Sequence, residues 1–433
     1  MSTADRPFRW RSVAVVVFVP TIVFSMGLYA IVPVIPALAQ NLGTDLGGAA
    51  LIASMLVVGQ LLGDIPSGAV VARIGERTAM IAATALALVG VAAMLLAPHP
   101  AVLGLGVLLI GVAGASFGLA RHAFMTSFVP LQFRARALST LGGSNRLGAV
   151  IGPFAGAGLL TLTGDPHSVL WMLAASCALA STLLIVLRDP EEGLVTRAAP
   201  RAGAVEVEAE ARGLWRTIAA KRNVLLTLGV GSAILSGLRQ VRQVVLPVWA
   251  VSIGLDAATA SLIIGIAGAV DFSLFFLGGW IMDRFGRLWT ILPCALGLSV
   301  GFIALALTHD VDQRVGWFIG IALFLALSNG IGAGILMTLA ADLADRRNPA
   351  PFLGAWRFTT DLGGAGAPIL VTAITAAVGL SAGVATVGVL GLVSALLMRI
   401  YVPRYVAARP SQAQLGHGEE HPDTPGRAPE PTP

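Results

Sequence analysis

Residues 259–307 read TASLIIGIAGAVDFSLFFLGGWIMDRFGRLWTILPCALGLSVGFIALAL. Two apolar runs, 259–282 and 289–307, are joined by a very short charged turn holding Asp283, Arg284, Gly286 and Arg287. A run of about 20 apolar residues is long enough to cross a hydrocarbon core of roughly 30 Å as a helix. The turn leaves no room for a soluble domain, so the two runs form a transmembrane hairpin. In lipid only helices or closed barrels satisfy the backbone, and these runs lack the alternation of barrel strands.

The same pattern recurs along all 433 residues, of which 56% are hydrophobic and only 12% charged. A soluble domain of this size carries about 25% charged residues. Helices are expected over 12–36, 49–72, 78–97, 101–124, 137–160 and 168–187, then 222–250, 259–282, 289–307, 315–341, 354–378 and 380–402. The first run starts near Ser12 and is too long for a signal peptide, so it reads as helix 1. The fold class is therefore an all-α polytopic membrane protein. Its expected divisions are a six-helix bundle over 1–187, a solvated linker over 188–221, a second bundle over 222–402 and a disordered tail over 403–433.

Basic residues give the orientation. Arg73, Arg77, Arg134, Arg136, Arg284, Arg287, Arg346 and Arg347 lie on the side of both termini, whereas the opposite loops carry Asp45, Asp165, Asp256, Asp310, Asp312 and only Arg314. By the positive-inside rule both termini face the cytoplasm. The net charge of +5 is then a matter of topology, and no nucleic-acid partner is expected. The preference for arginine over lysine, with many alanines and glycines, fits a GC-rich bacterium and hence its inner membrane. Cys177 and Cys294 both lie in apolar runs and read as small buried hydrophobes.

The halves repeat. Leu42-Gly43-Thr44-Asp45 is echoed by Ile253-Gly254-Leu255-Asp256. Arg146 lies seven residues before Pro153, and Asp361 seven before Pro368. The turn Gly279 to Arg287 is matched by Gly68-Ala-Val-Val-Ala72-Arg73-Ile-Gly75-Glu76-Arg77. Two parallel repeats with a site between them at mid-membrane is a transporter arrangement.

Gly279-x-x-x-Asp283-Arg284-x-Gly286-Arg287 resembles the G-x-x-x-D-R-x-G-R signature of the major facilitator superfamily. In the first half Ala72 replaces the acid and Glu76 stands where a base is usual, so Asp64, two turns earlier, becomes a partial substitute. Gly148-Ala-Val-Ile-Gly152-Pro153-Phe-Ala-Gly156 is similar to the antiporter motif of the twelve-helix proton-coupled drug exporters of that superfamily. The arginine often found early in their helix 4 is absent, Val107 falling about there. The resemblance implies two pseudo-symmetric six-helix bundles around a central cavity. It also implies alternating access and export of a small amphipathic organic compound in exchange for protons. No cofactor or metal is expected. The partners are lipid, a small-molecule substrate and protons, and the working unit is a monomer. No G-x-x-x-x-G-K-[ST], HExxH or CxxC pattern is present, which argues against ATP hydrolysis and against an enzyme. Import of a small organic solute such as an organic anion is the alternative, because the fold permits both directions.

Ionisable groups at membrane depth are expensive and mark function by default. They are Asp64, Arg121, Arg146, Arg239, Arg242, Asp271 and Asp361. Arg146 and Asp271 fall at similar depth on helices 5 and 8, which face each other in the resembled fold. An interdomain pair that parts as the halves rock is the expectation, with a permanent packing pair as the rival. Asp361 and Asp64 should approach each other on helices 11 and 2, where two carboxylates could share a proton. Either could instead pair with Arg121 or Arg357. Arg239 and Arg242, three apart on one helix face, read as a basic patch for an anionic or zwitterionic group, with snorkelling to the outer headgroups as the rival reading. Gln243, Tyr29 and Phe275 complete the candidate cavity. Phe24, Phe117, Trp249 and Trp356 are either further lining or packing residues.

Overall fold

The computed structural model describes residues 17–129, 131–187, 214–345 and 349–406. These form twelve helical rods. In the first half they are α1 (Val19–Ile31 and Ile35–Asn41), α2 (Leu46–Ile74), α3 (Glu76–Leu95), α4 (Pro100–Phe128), α5 (Leu131–Thr163) and α6 (His167–Val186). In the second they are α7 (Val230–Ser252, entered through a π turn at Leu225–Gly229), α8 (Ala257–Ser273 and Phe275–Phe285), α9 (Leu288–Leu307), α10 (Arg314–Ile331 and Ile335–Leu343), α11 (Ala350–Ala377) and α12 (Leu380–Tyr405). Ten are long and apolar enough to cross a membrane, eleven with the two pieces of α1, bent by 43°, taken as one span. The remaining rod, α11, is 28 residues long but carries Arg357 and Asp361, which lower its apolarity.

The expected linker and tail lie mostly outside the described residues. Where the linker is described, Leu214–Ala220 is a short helix lying against α11. Three of the expected single helices are broken: α1 after Ile31, α8 at Leu274 and α10 at 332–334. Gly334 takes the left-handed conformation at the last break (φ 82°), which a glycine adopts without steric cost.

The repeat seen in the sequence is a repeat of structure. Asp45 and Asp256 each cap the following helix, accepting from the backbone N–H of Gly48 at 2.8 Å and of Thr259 at 2.9 Å. Such caps satisfy donors that a helix start leaves open. At the other membrane face Gly75 (φ 87°) and Gly286 (φ 96°) make the same turn in the two halves. Inside the bundles α5 lies against α1 and α11 against α7. A Cβ at Gly148 would come 2.6 Å from Ser25 Cβ, and one at Gly152 would strike the Met26 carbonyl. In the second half, a Cβ at Gly363 would strike the Ala233 backbone. Small residues that let backbones approach are the usual means of helix association in lipid. Val89, Trp171, Leu179, Ile266, Val300 and Val389 are exposed on the outside, where lipid covers them.

The halves meet through α2 with α11 and α5 with α8. Near the Asp45 and Asp256 turns this contact is tight: a Cβ at Gly47 would sit 3.2 Å from Ala376, and one at Gly265 would sit 3.3 Å from the Phe154 ring.

Candidate functional site: a charged cavity between the halves

A cavity of about 380 Å³ lies between the halves, with Tyr29, Asn145, Arg146 and Pro153 from the first half and Arg239, Arg242, Gln243 and Asp271 from the second among its lining. Pockets for drug-sized ligands run roughly 300–1,000 Å³. Asp271 precedes the break in α8 and Asn329 precedes the break in α10. The two breaks meet: a Cβ on Gly330 would lie 2.8 Å from the Asp271 carbonyl oxygen.

Asp271 is 9% exposed and its Oδ2 is doubly held, by Arg242 Nη2 at 2.6 Å and Asn329 Nδ2 at 2.7 Å. Its Oδ1 is buried without a hydrogen-bond partner. The expected Arg146–Asp271 ion pair is therefore replaced by Arg242–Asp271, between adjacent helices of one half. Arg242, ten residues from the end of α7, reaches Asp271 directly, whereas Arg146 lies over the Phe275 ring at 4.4 Å. Phe275 thus supports Arg146, while its neighbour Phe272 lines the cavity.

Arg239 donates to the backbone carbonyl of Asn329 at 3.2 Å, and its Nε is buried without a partner. Both arginines of α7 turn into the cavity, so the snorkelling reading is set aside. Gln243 donates to Gln240 at 2.9 Å beside them. Arg121 pairs with neither aspartate. It donates to Asn145 Oδ1 at 3.1 Å, the oxygen that also accepts from Ser25 at 2.8 Å.

Asp64 and Asp361 do approach each other, with Arg357 between them: its Nη2 is 3.6 Å from Asp64 Oδ1 and its Nε 3.5 Å from Asp361 Oδ2. A smaller cavity of about 50 Å³ is lined by both aspartates and shares Ser236 and Gln240 with the main one. It lies between α2 and α11, nearer the Gly75 end of α2, where the Arg357 side chain is 48% exposed.

The loop signatures settle at that face. Arg287 holds Asp342 of α10 through Nε at 2.7 Å and Nη2 at 3.3 Å, and lies 3.7 Å from Asp283. Arg284 stacks near Trp280 and Phe285. Nothing in the sequence around Asp342 marks it as the acceptor for a residue 55 positions away. In the first half Arg77 donates to the Leu184 carbonyl at 2.6 Å, at the end of α6, and Ser127 of α4 donates to Glu76 at 3.0 Å. Glu76 is only 4% exposed, so the unusual acid ties α3 to α4. Asp64 does not stand in for the acid missing at Ala72, being engaged with Arg357, and Arg73 is exposed. Gly68 is partly buried, while the tightly packed glycine near the second signature is Gly278, against the Ile331 carbonyl, and a Cβ at Gly279 would meet open space. A Cβ at Gly156 would lie 3.4 Å from the Ala30 carbonyl oxygen. Of the aromatics, Tyr29 lines the cavity, but Phe24 and Phe117 stack on each other at 4.3 Å, Trp249 packs on His309, and Trp356 donates to the Leu336 carbonyl. Those four are packing residues.

Two helical bundles enclosing a mid-membrane polar cavity, with broken helices at its wall, define a membrane transporter. The chain belongs to the Major Facilitator Superfamily, whose model matches residues 17–365 and 243–425. It is similar to the multidrug resistance protein MdtH of Edwardsiella ictaluri, 27% identical over 77% of this chain and 79% of that protein. MdtH of Yersinia pestis (strain Pestoides F) is 26% identical over 77% and 80%. Among solved structures, a D-xylose–proton symporter superposes with a TM-score of 0.71 at 14% identity, covering 92% of this chain and 99% of that one. A POT family transporter in complex with a thioalcohol-conjugated peptide superposes with a TM-score of 0.71 at 12% identity, covering 91% and 96%.

Proposed function

We propose that this chain exports small amphipathic organic compounds across the bacterial inner membrane in exchange for protons, by alternating access and as a monomer. It moves its substrate unchanged and catalyses no reaction. The observation that carries the reading is Asp271: a buried carboxylate in the wall of the central cavity, with one oxygen held by Arg242 and Asn329 and the other without a partner. A buried acceptor left unsatisfied is costly, and a proton on Oδ1 removes the charge that holds Arg242. Protonation thereby loosens the contact between α7 and α8, which ties proton binding to the shape of the cavity. The similarity to MdtH, named for multidrug resistance, supports export.

By the positive-inside rule the Gly75 and Gly286 turns face the cytoplasm. The passage past Asp64, Arg357 and Asp361 then leads inward, and the tight contacts at Gly47 and Phe154 seal the outer side. The structure is an inward-facing state on this reading. Import of an organic anion by symport is the second reading, favoured by the arginines of the cavity.

Purified protein in liposomes holding a pH-sensitive dye tests the proposal. Addition of a transported compound should drive proton movement opposite to that compound. Protons moving in the same direction as the compound would establish symport instead.

A further inference from the structure

The charges facing the cavity do not balance. Arg146 comes from α5, Arg239 and Arg242 from α7, and the one carboxylate among the described lining residues is Asp271. Asp271 is committed to Arg242 at 2.6 Å. Among the described residues, Arg146 and Arg239 make no ion pair: Arg146 lies over the Phe275 ring and feels Asp271 only from beyond salt-bridge distance, and Arg239 meets the Asn329 carbonyl and the Cys294 thiol. Arg121 stands behind Asn145 and adds a further cation without an acid. Asp64 and Asp361 lie outside the main cavity and share Arg357. Uncompensated guanidinium groups at membrane depth are unfavourable unless a counter-charge arrives, and the planar guanidinium matches a carboxylate or a similar oxyanion.

We propose that Arg146 and Arg239, one from each half, form the binding site for a negatively charged group of the substrate, so that the transported class is organic anions with an apolar body. Val32, Leu246, Ile264 and Leu336 supply the apolar wall for that body. A cation entering the same space would meet two unpaired positive charges. A cavity of about 380 Å³ is of a size for a small organic anion. Because the two arginines belong to different halves, a bound anion draws the halves together across the cavity. The proposal rests on the transport reading of this cavity and deepens it by naming the substrate class.

The test is titration calorimetry of the full chain in detergent with three probes sharing one ring system: 2-naphthoate, 2-naphthalenemethanol and 2-naphthylmethylammonium. Naphthoate should bind at least about tenfold tighter than the alcohol, and the ammonium more weakly than either, given what removal of one partner of a buried charge contact costs. Arg146→Gln and Arg239→Gln should each erase the preference of naphthoate over the alcohol, and Arg146→Lys should retain most of it. Phosphatidylglycerol should not compete. Equal binding of the three probes, tighter binding of the ammonium, or no binding of naphthoate overturns the proposal on the unaltered protein alone. So does displacement of naphthoate by chloride at equal concentration or by phosphatidylglycerol. Anion preference without proton-driven flux would remove the exporter reading only. Proton-driven flux of cations without anion binding would remove this inference only.

Discussion

Arg357 of α11 reaches Asp64 of α2 at 3.6 Å, an ion pair that joins the two halves beside the passage to the central cavity. The same guanidinium lies 3.5 Å from Asp361, one turn further along its own helix. Both partners are partly exposed, and exposed pairs contribute at most about 1 kcal/mol to stability. The contact is suited to parting as the halves move. Arg357→Gln should shift thermal unfolding little, yet open the passage. A cysteine placed at Gln240 should then react faster with a polar thiol reagent than in the parent, with the buried Cys177 and Cys294 as silent background. An unchanged labelling rate would assign Arg357 to packing alone.

Asp271 predicts a contrast between two substitutions. Asp271→Ala leaves Arg242 buried without its partner, a loss of about 3 kcal/mol or more, readable as a lower melting temperature in detergent. Asp271→Asn keeps the shape and removes the carboxylate. It should abolish proton-driven flux while retaining substrate exchange between the two sides of a vesicle. Retention of proton-driven flux in the asparagine variant would move the coupling site elsewhere.

Glycine packing in α5 gives a stability prediction with an internal control. A Cβ at Gly152 meets the Met26 carbonyl, while one at Gly158 meets nothing within 4 Å. Gly152→Val should cost about 1–3 kcal/mol through overpacking, and Gly158→Ala should leave stability unchanged or raise it by up to about 1 kcal/mol. Equal melting temperatures for the two variants would show that α1 and α5 are less closely apposed than described.

At the opposite face from the passage, Asp256 caps α8. Hydrogen bonds from the Thr259 hydroxyl at 2.7 Å and backbone N–H at 2.9 Å hold its carboxyl below the usual carboxylate range. A depressed folded-state value means that the cap stabilises above the unfolded value of about 3.9. That stabilisation is lost as pH falls through the lower folded value. The melting-temperature difference between the parent and Asp256→Ala should therefore shrink as pH drops from 6 towards 3. A difference that grows on acidification would contradict the cap.

The fold could be read from the sequence because lipid imposes a strong rule: every spanning segment must be a long apolar helix. The one rod that falls short, α11, does so because it carries Arg357 and Asp361. The paired turns were equally open to reading, since Gly43 and Asp45, Gly254 and Asp256, and Gly75 and Gly286 do local work within a few residues. Partner choice inside the membrane was harder. The resembled fold, with helices 2 and 11 facing each other, brought Asp64 and Asp361 together, but Asp271 went to Arg242 rather than Arg146. The reach of a long arginine side chain and the breaks at Leu274 and 332–334 are not encoded in spacing. Asn329, Asn145 and Asp342 went unnoticed for a related reason: uncharged or loop-adjacent polar residues carry no signal until a partner from another helix faces them.

The most direct measurement is accumulation of a broad panel of fluorescent compounds in a pump-deleted bacterial host expressing this chain or its Asp271→Asn variant, with and without an uncoupler. The account predicts lower accumulation of at least one compound with the parent protein, abolished both by the uncoupler and by the substitution. Unchanged or raised accumulation of every compound, with the protein confirmed in the membrane, would contradict proton-driven export.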